Sequence, residues 1–266
     1  MAMKQRVLIT NDDGIESLGI ARLAQVIAEI AEVWVVAPTS DRSGASHALT
    51  TRSPLRISKT DALDRPLTYV VDGTPSDCVY LALSHLMSSA PPALVLSGIN
   101  SGFNLADDIT YSGTVAAAVE AVLLDVPAIA LSVGGFSGSG LDEAARLARA
   151  LACHCLDHPD ALPRGLFLNV NVPSDPRPGV FQVTTIGRRA YSRDVREGVD
   201  PRGRAFYWIG GDPLPHDDIS GSDCNTVLDD GISSVTPVHV QSVDEASLAN
   251  WRTVRLPNFK HGVRGG

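Results

Sequence analysis

Short apolar segments alternate with longer amphipathic ones over the first two thirds of the chain. Six apolar segments, mostly β-branched, predict buried strands: 6–10, 33–38 and the stretches around Val70, Leu94, Ile129 and Leu168. Between them, apolar residues recur three and four positions apart, which predicts helices. These helical segments are the one that contains Leu23, Val26, Ile27 and Ile30, and the segments 75–86, 114–124 and 141–156.

This alternation predicts an α/β fold, with a mostly parallel sheet and helices on both of its faces. In such a fold, ligands bind outside the carboxyl ends of the strands. Residues that directly follow a predicted strand are therefore the first candidates for function.

The pattern changes at the proline-rich segment 173–179. The segments 180–187, 205–211, 232–240 and 251–256 then predict strands without clear helices between them. We therefore expect a core over 1–174 and a β-rich extension over 175–266. Because sheet edges need cover, we expect a second subunit to pack against the extension. We expect the tail 261–266 to be disordered.

Composition narrows the class of protein. The 266 residues are 44% hydrophobic and 20% charged, without an apolar run of the ~20 residues that a membrane helix needs. The start of the chain lacks the pattern of a secretory signal, and the four cysteines fit neither a disulfide framework nor paired zinc knuckles. We expect a soluble, cytoplasmic protein with reduced thiols. A net charge of −8 argues against a nucleic-acid duplex as partner.

Two adjacent carboxylates, Asp12 and Asp13, directly follow the first predicted strand. A dinucleotide-binding turn would place glycines there. One reading is that one Asp caps the next helix and the other is solvated. In a crevice, however, two carboxylates about 4 Å apart repel by about 4 kcal/mol at an effective dielectric constant of about 20. A bound divalent cation removes that cost, and oxygen ligands favour Mg²⁺ or Mn²⁺ over zinc.

Polar loops after two further strands provide more oxygen ligands for such a cation. Ser43 follows the strand 33–38, and Asn100 and Asn104 follow the strand at Leu94. Each of them alone is typical of a turn. Because parallel strands end at one sheet edge, we expect these residues to lie near Asp12 and Asp13.

An alanine-rich helix opens with Ser112, Gly113 and Thr114. Its free N–H groups and dipole favour an anion, although a Ser or Thr cap is the simpler reading of Ser112 or Thr114. A phosphate held between a cation and this helix start would form a phosphoryl-transfer site, in which positioning and charge stabilisation supply most of the catalysis.

Other phosphate chemistries lack their motifs. The chain has neither a G-x-x-x-x-G-K-[ST] loop nor a G-x-G-x-x-G turn. Lys4, Lys59 and Lys260 are its only lysines, and none is placed as a phospho-acceptor receiver domain requires. Asp12 and Asp13 are adjacent, unlike the D-x-D pair of haloacid-dehalogenase-type phosphatases.

Eight sequence blocks occur in order along nearly the whole chain: ITNDDGIESLGI, VVAPTSDRSGASHALT, VDGTPSDCVYLAL, LVLSGINSGFNLADDITYSGTVAAAVEA, LNVNVP, GRRAYSRD, YWIGG and DDGISSVTPV. Together they resemble the SurE family of survival proteins, which are metal-dependent nucleotide phosphatases. The resemblance implies a Rossmann-like core and a C-terminal arm exchanged within homodimers or homotetramers. It also implies hydrolysis of nucleoside 5′-monophosphates, and some members of the family also hydrolyse short polyphosphate. The resemblance leaves open whether 3′-monophosphates are substrates.

The same motifs imply roles for individual residues. Asp12 and Asp13 of NDDG, Ser43 of DRSG and Asn100 of SGIN correspond to the ligands of one divalent metal ion per subunit. Asn104 and the segment from Ser112 through Gly113 to Thr114 correspond to the region that lines the phosphate site.

For the mechanism, we expect Asp12 or Asp13 to orient or deprotonate the attacking water, and the backbone near Gly44 to contact the phosphate. His47 is a candidate acid for the leaving group, although a structural role in its loop is the simpler reading. Two rival functions remain: a non-catalytic nucleotide or metal sensor, and a glycosyl or nucleotidyl transferase. The sensor would bind nucleotide without turnover, and the transferase would need an acceptor.

Overall fold

The predicted strands pair into one nine-stranded sheet. The computed structural model describes residues 4–65, 67–210, 214–241 and 252–253. The sheet has the order β3-β4-β2-β1-β5-β6-β7-β11-β8. Its strands are β1 Arg6–Thr10, β2 Glu32–Pro38, β3 Ile57–Lys59, β4 Thr68–Val71, β5 Leu94–Ser101, β6 Ala128–Val133, β7 Leu166–Val172, β8 Phe181–Val183 and β11 Ser233–His239. Two further strands, β9 Val195–Val199 and β10 Ala205–Ile209, form a separate antiparallel hairpin.

The six central strands, from β4 to β7, are parallel, and helices cover both faces. The helices are α1 Leu18–Ile27, α2 Pro75–Leu81, α3 Gly113–Leu123 and α4 Gly140–Asp157. Side chains of α1 and α4 share one apolar cluster with Val7 and Ile9, and those of α2 and α3 share another with Leu8. This division follows from the alternation of side chains along a strand. The predicted mostly parallel sheet between helices is confirmed.

Each predicted helix forms, with small differences at the ends. The first ends at Ile27, and Ile30 lies in the turn that follows. Thr74 caps α2 with a reciprocal pair of hydrogen bonds to Asp77, and the helix continues as a wider π turn over Ala82–Leu86. Among the residues that the structure describes, every helix is too short or too polar to traverse a bilayer.

The strand order reverses between β1 and β5, because β2 and β4 lie on one side of β1 whereas β6 and β7 lie beyond β5. The carboxyl ends of β1 and β5 therefore border the crevice at which open α/β sheets bind ligands. The two segments that end there continue into Asp12 and Asp13 and into Asn104.

The β-rich extension is partly integrated into the main sheet. β11 pairs antiparallel with β7, and β8 pairs parallel with β11. The hairpin of β9 and β10 lies outside this sheet, and all five side chains of β10 are exposed. The boundary at residue 174 stays a prediction.

The secondary structure differs from the prediction at several places in the extension and at the sheet edge formed by β3. The apolar pattern did not predict β3 or β9, and a short π-helical turn forms at Asn225–Asp229. Of the strand predicted over 251–256, only Arg252 and Thr253 are described, and both are helical. Residue 211 of the strand predicted over 205–211 and the tail 261–266 lie outside the described residues.

Candidate active site

A tight turn after β1 carries the two adjacent carboxylates. The Asn11 side-chain amide donates to the Gly14 carbonyl at 2.8 Å, and Gly14 has φ +90°, a backbone conformation that favours glycine. A Cβ at Gly14 would lie 3.0 Å from the backbone carbon of Ser40. The Arg42 N–H donates to the Asp12 carbonyl at 2.7 Å. The turn therefore joins the carboxylates to the loop that follows β2.

Asp12 is nearly buried, with 3% of its surface exposed. Burial raises the pKa of its carboxyl group, and the neighbouring charge of Asp13 adds to the rise. The Thr114 hydroxyl and the Thr114 backbone N–H both donate to this carboxylate. The start of α3 thus holds Asp12 in place. Thr114 binds this carboxylate, whereas the family resemblance implied that Thr114 lines the phosphate site.

Gly113 allows α3 to begin directly against Asp12. A Cβ at Gly113 would lie 2.8 Å from the Asp12 Cβ and 3.0 Å from Oδ2. Ser112 caps the helix, since its hydroxyl accepts the Val115 N–H at 3.1 Å. The first helical position therefore needs glycine, because any side chain there would collide with Asp12.

Asp13 lies beside a third carboxylate, Asp41. Burial raises the pKa of Asp13, and the negative charge of Asp41 contributes to the same direction. The Ser101 N–H donates to Asp13 Oδ2 at 3.2 Å, which ties the end of β1 to the end of β5. Acidic groups that follow β1 and β2 thus interact electrostatically at this edge of the sheet.

Ser43 and Asn100 each keep an oxygen free for another partner. The Ser43 hydroxyl donates its proton to Asp41 Oδ1 at 2.6 Å, which leaves the lone pairs of its oxygen available. This hydrogen bond lowers the pKa of Asp41. The Asn100 amide nitrogen donates to the Gly102 carbonyl at 2.8 Å, so its amide oxygen points elsewhere. Both oxygens are therefore available to a cation.

One cavity of about 390 Å³ collects most of the predicted site residues. Its lining includes six of them: Asp12, Ser43, Gly44, Asn100, Asn104 and Ser112. Asp13, Gly113 and Thr114 do not themselves line the cavity, although each lies within two positions of a lining residue. The structure thus gathers at one place the turn after β1, the loop after β2, the end of β5 with the loop that follows it, and the start of α3.

Asn104 is held by buried amides of β7. Its N–H donates to Asn171 Oδ1 at 2.8 Å, and its carbonyl accepts from the side chains of Asn169 at 2.8 Å and Asn171 at 3.1 Å. Its own side chain donates to Ser132 at 2.7 Å. This buried network orients the loop that lines the cavity.

The β-rich extension also reaches the cavity. Arg189 pairs with Asp108 at 3.0 Å, and its guanidinium lies 5.2 Å from the ring centroid of Tyr191. Burial raises the pKa of Asp108, although Tyr191 and Arg189 oppose the rise. Burial and the hydrogen bond to Asp108 raise the pKa of Tyr191 to about 12. Asp108 and Tyr191 both line the cavity.

His47 faces α3 and does not line the cavity. Its Nε2 atom lies 2.6 Å from Glu120, whose side chain is 5% exposed. The same loop is fastened nearby, because the Ser46 N–H donates to the Tyr111 carbonyl at 3.1 Å. This geometry favours a structural role for His47.

Sequence reasoning missed Asp41, Asp108, Tyr191 and the asparagines of β7 as parts of the site. Asp41 carried a usable signal, because an Asp two residues before Ser43 is typical of an Asx turn, and its carboxylate does accept the Ser43 N–H at 2.7 Å. The Arg189 partner of Asp108 and the β7 partners of Asn104 lie more than sixty residues away in sequence, and no local pattern indicates them.

The chain is a Rossmann-like α/β protein, because its mostly parallel sheet has helices on both faces. The cavity lies where the strand order reverses, and its oxygen-rich lining suits a hard cation. The family model described as Survival protein SurE matches residues 7–193, and the chain belongs to this family.

Relatives and a solved structure agree with this assignment. The chain is 48% identical to the 5'-nucleotidase SurE of Myxococcus xanthus (strain DK1622), over 96% of this chain and 95% of the relative. It is 46% identical to the 5'-nucleotidase SurE of Anaeromyxobacter sp. (strain Fw109-5), over 96% and 98%. The crystal structure of the SurE protein from Aquifex aeolicus is similar, with a TM-score of 0.77 and 38% identity over 92% of this chain and 97% of that one.

Proposed function

We propose that this chain hydrolyses nucleoside 5′-monophosphates to nucleoside and phosphate, with one Mg²⁺ or Mn²⁺ ion bound per subunit. The relatives that match over nearly the whole chain carry the name 5'-nucleotidase. The observation that carries the proposal is the pair of carboxylates, Asp12 and Asp13, set at the end of β1 beside the start of α3.

The donor atoms fit a hard divalent cation. Within the described ranges, neither Asp12 nor Asp13 forms an ion pair with Lys, Arg or His, although burial raises the pKa of both. Two neighbouring carboxylates that are at least partly buried can both be ionised only when a cation neutralises their charge. The free oxygens of Ser43 and Asn100 complete a set of hard ligands.

When bound, the metal ion would act as a Lewis acid on the phosphate and lower the pKa of a bound water. The chain's own groups supply the rest of the site. Ser112, Asn104 and the backbone near Gly44 and Gly113 hold the phosphate oxygens as negative charge develops. Asp12 or Asp13 orients the attacking water and accepts its proton. Thr114 is a positioning residue, because it holds Asp12.

Release of inorganic phosphate from a panel of nucleoside monophosphates tests this function. We expect release to disappear with EDTA and to return with Mg²⁺ or Mn²⁺. Asp12→Asn and Asp13→Asn should abolish it without unfolding the protein, because each change removes charge with little change in volume. Asp142→Asn is the matched control, since this carboxylate is 75% exposed on α4 and pairs with Arg22.

Normal turnover in both site variants would exclude the proposed metal site. Saturable nucleotide binding without phosphate release under any metal would identify a sensor instead. A transferase would release no free phosphate from a monophosphate alone, so release without an acceptor excludes it.

We further propose that the chain forms a homodimer or homotetramer through its β-rich arm and acts in the cytoplasm. The hairpin of β9 and β10 exposes large apolar side chains, among them Trp208 at 70% and Ile209 at 91%, and such a surface is typical of an interaction site. The four cysteines are unpaired, which suits a reducing compartment. Light scattering would give the number of subunits.

A further inference from the structure

We propose that Phe103, Tyr111 and Tyr191 form an aromatic wall that binds the nucleobase of the substrate. This inference rests on the proposed function and deepens it. The wall would make the enzyme select nucleotides over other phosphate monoesters, and it would accept different bases.

The three rings line the same cavity as Asp12, Ser43 and Asn100. The cavity volume, about 390 Å³, falls within the roughly 300–1,000 Å³ of sites for small organic ligands. A phosphate held between a cation at Asp12 and the helix start at Ser112 would fill only part of this space. The nucleoside attached to that phosphate therefore extends into the remainder, where the aromatic side chains lie.

Tyr191 is held in place by a network that leaves much of its ring accessible. Arg189 lies over the ring, and its guanidinium pairs with Asp108, which also bonds the Tyr191 hydroxyl. The Arg189 N–H donates to Asp107 at 3.0 Å. The side chains of Arg189 and Asp108 are only 12% and 13% exposed, whereas Tyr191 is 41% exposed. A nearly buried ion pair thus orders a partly exposed aromatic surface.

Phe103 and Tyr111 are held in different ways. Phe103 packs on a small apolar cluster that includes Leu105 and Val227. Its ring also lies close to Gly134, where a Cβ would be 2.5 Å from the ring. Tyr111 directly precedes the cap of α3, and its carbonyl accepts the Ser46 N–H at 3.1 Å, yet its side chain is 71% exposed. The backbone at Tyr111 is therefore held, while its ring is exposed and available for stacking.

The wall predicts broad base specificity. Every nucleobase has a π face, so an aromatic ring can stack on any base. Discrimination between bases requires hydrogen bonds to the base edge. Asp108, which lines the same cavity, is already engaged by Arg189 and Tyr191. We therefore expect purine monophosphates to be favoured only by their larger stacking area.

The test compares adenosine 5′-monophosphate with ribose 5-phosphate, which has the same phosphate and sugar but no base. Phe103→Leu and Tyr111→Leu remove a ring while keeping apolar bulk. Stacking is worth roughly 1–3 kcal/mol per base, so each variant should lower kcat/KM for the nucleotide by about tenfold. Hydrolysis of ribose 5-phosphate should be unchanged. Tyr80→Leu makes the same kind of change at an exposed ring on α2, outside the cavity, and is the matched control.

Adenosine binding, measured by calorimetry, separates the wall from catalysis, because adenosine has no phosphate to lose. Weaker adenosine binding in the variants supports the wall even if the wild-type protein releases no phosphate, a result that would overturn only the proposed function. Equal losses on both phosphate esters would overturn the wall, as would wild-type protein that uses ribose 5-phosphate as well as the nucleotide. Tyr111→Leu keeps the test decisive if Phe103→Leu fails to fold.

Discussion

Replacement of Gly113 by alanine should disable the site while leaving the protein folded. The added Cβ would lie 2.8 Å from the Asp12 Cβ, whereas carbon atoms in contact are about 3.5–4.0 Å apart. Asp12 or the start of α3 must therefore move by about 0.7 Å or more. Asp12 has little freedom to do so, because Thr114 holds its carboxylate and the Arg42 N–H holds its carbonyl.

The expected loss of activity is large relative to the loss of stability. A misplacement near 1 Å costs about 100-fold in rate, so we expect kcat/KM to fall by about two orders of magnitude. Overpacking costs about 1–3 kcal/mol, and alanine in place of glycine in a helix recovers about 0.5–1 kcal/mol. The free energy of unfolding should therefore fall by no more than about 2.5 kcal/mol, which lowers Tm by several degrees at most.

Phosphate release, metal titration and urea unfolding would be measured on the same preparations. Gly210→Ala is the matched control, because a Cβ there meets nothing within 4 Å and its φ lies outside the left-handed region. We expect Gly210→Ala to behave as wild type. Wild-type kcat/KM and metal affinity in Gly113→Ala would refute the argument that only glycine fits beside Asp12.

Three further variants test other parts of the site. Ser43→Ala should weaken metal binding without abolishing it, and an unchanged metal titration would remove Ser43 from the ligands. Asn171→Ala leaves the Asn104 N–H without its buried partner; unfolding by urea should show a loss of about 2 kcal/mol or more, with a raised KM. Burial raises the pKa of Asp108 above its ordinary 3.8, so the folded state holds this proton more tightly. The free energy of unfolding of wild type, relative to that of Asp108→Asn, should thus fall as pH rises from 3.8 through the raised pKa and should level off above it. A difference that grows in favour of wild type with pH would contradict this prediction.

By itself, the sequence determined most of the strands and helices of the core and the polar residues that follow its strands. Apolar periodicity predicted β1, β5 and α3, because the periods of strand and helix are local properties of the chain. The adjacent carboxylates at Asp12 and Asp13 were visible for the same reason, since they directly follow an apolar strand. β3 and β9 escaped prediction because both are short and largely exposed, with little apolar pattern to reveal them.

Only the tertiary structure decided which distant groups support the site. Thr114 became the partner of Asp12 because the start of α3 packs against the end of β1, 102 residues earlier in the chain. Tyr191 and Arg189 reach the cavity from the extension, and the asparagines of β7 reach Asn104 across 65 and 67 residues. Such contacts depend on how strands pair and how the chain returns to the sheet, and these are properties of the whole fold that no local pattern of residues carries.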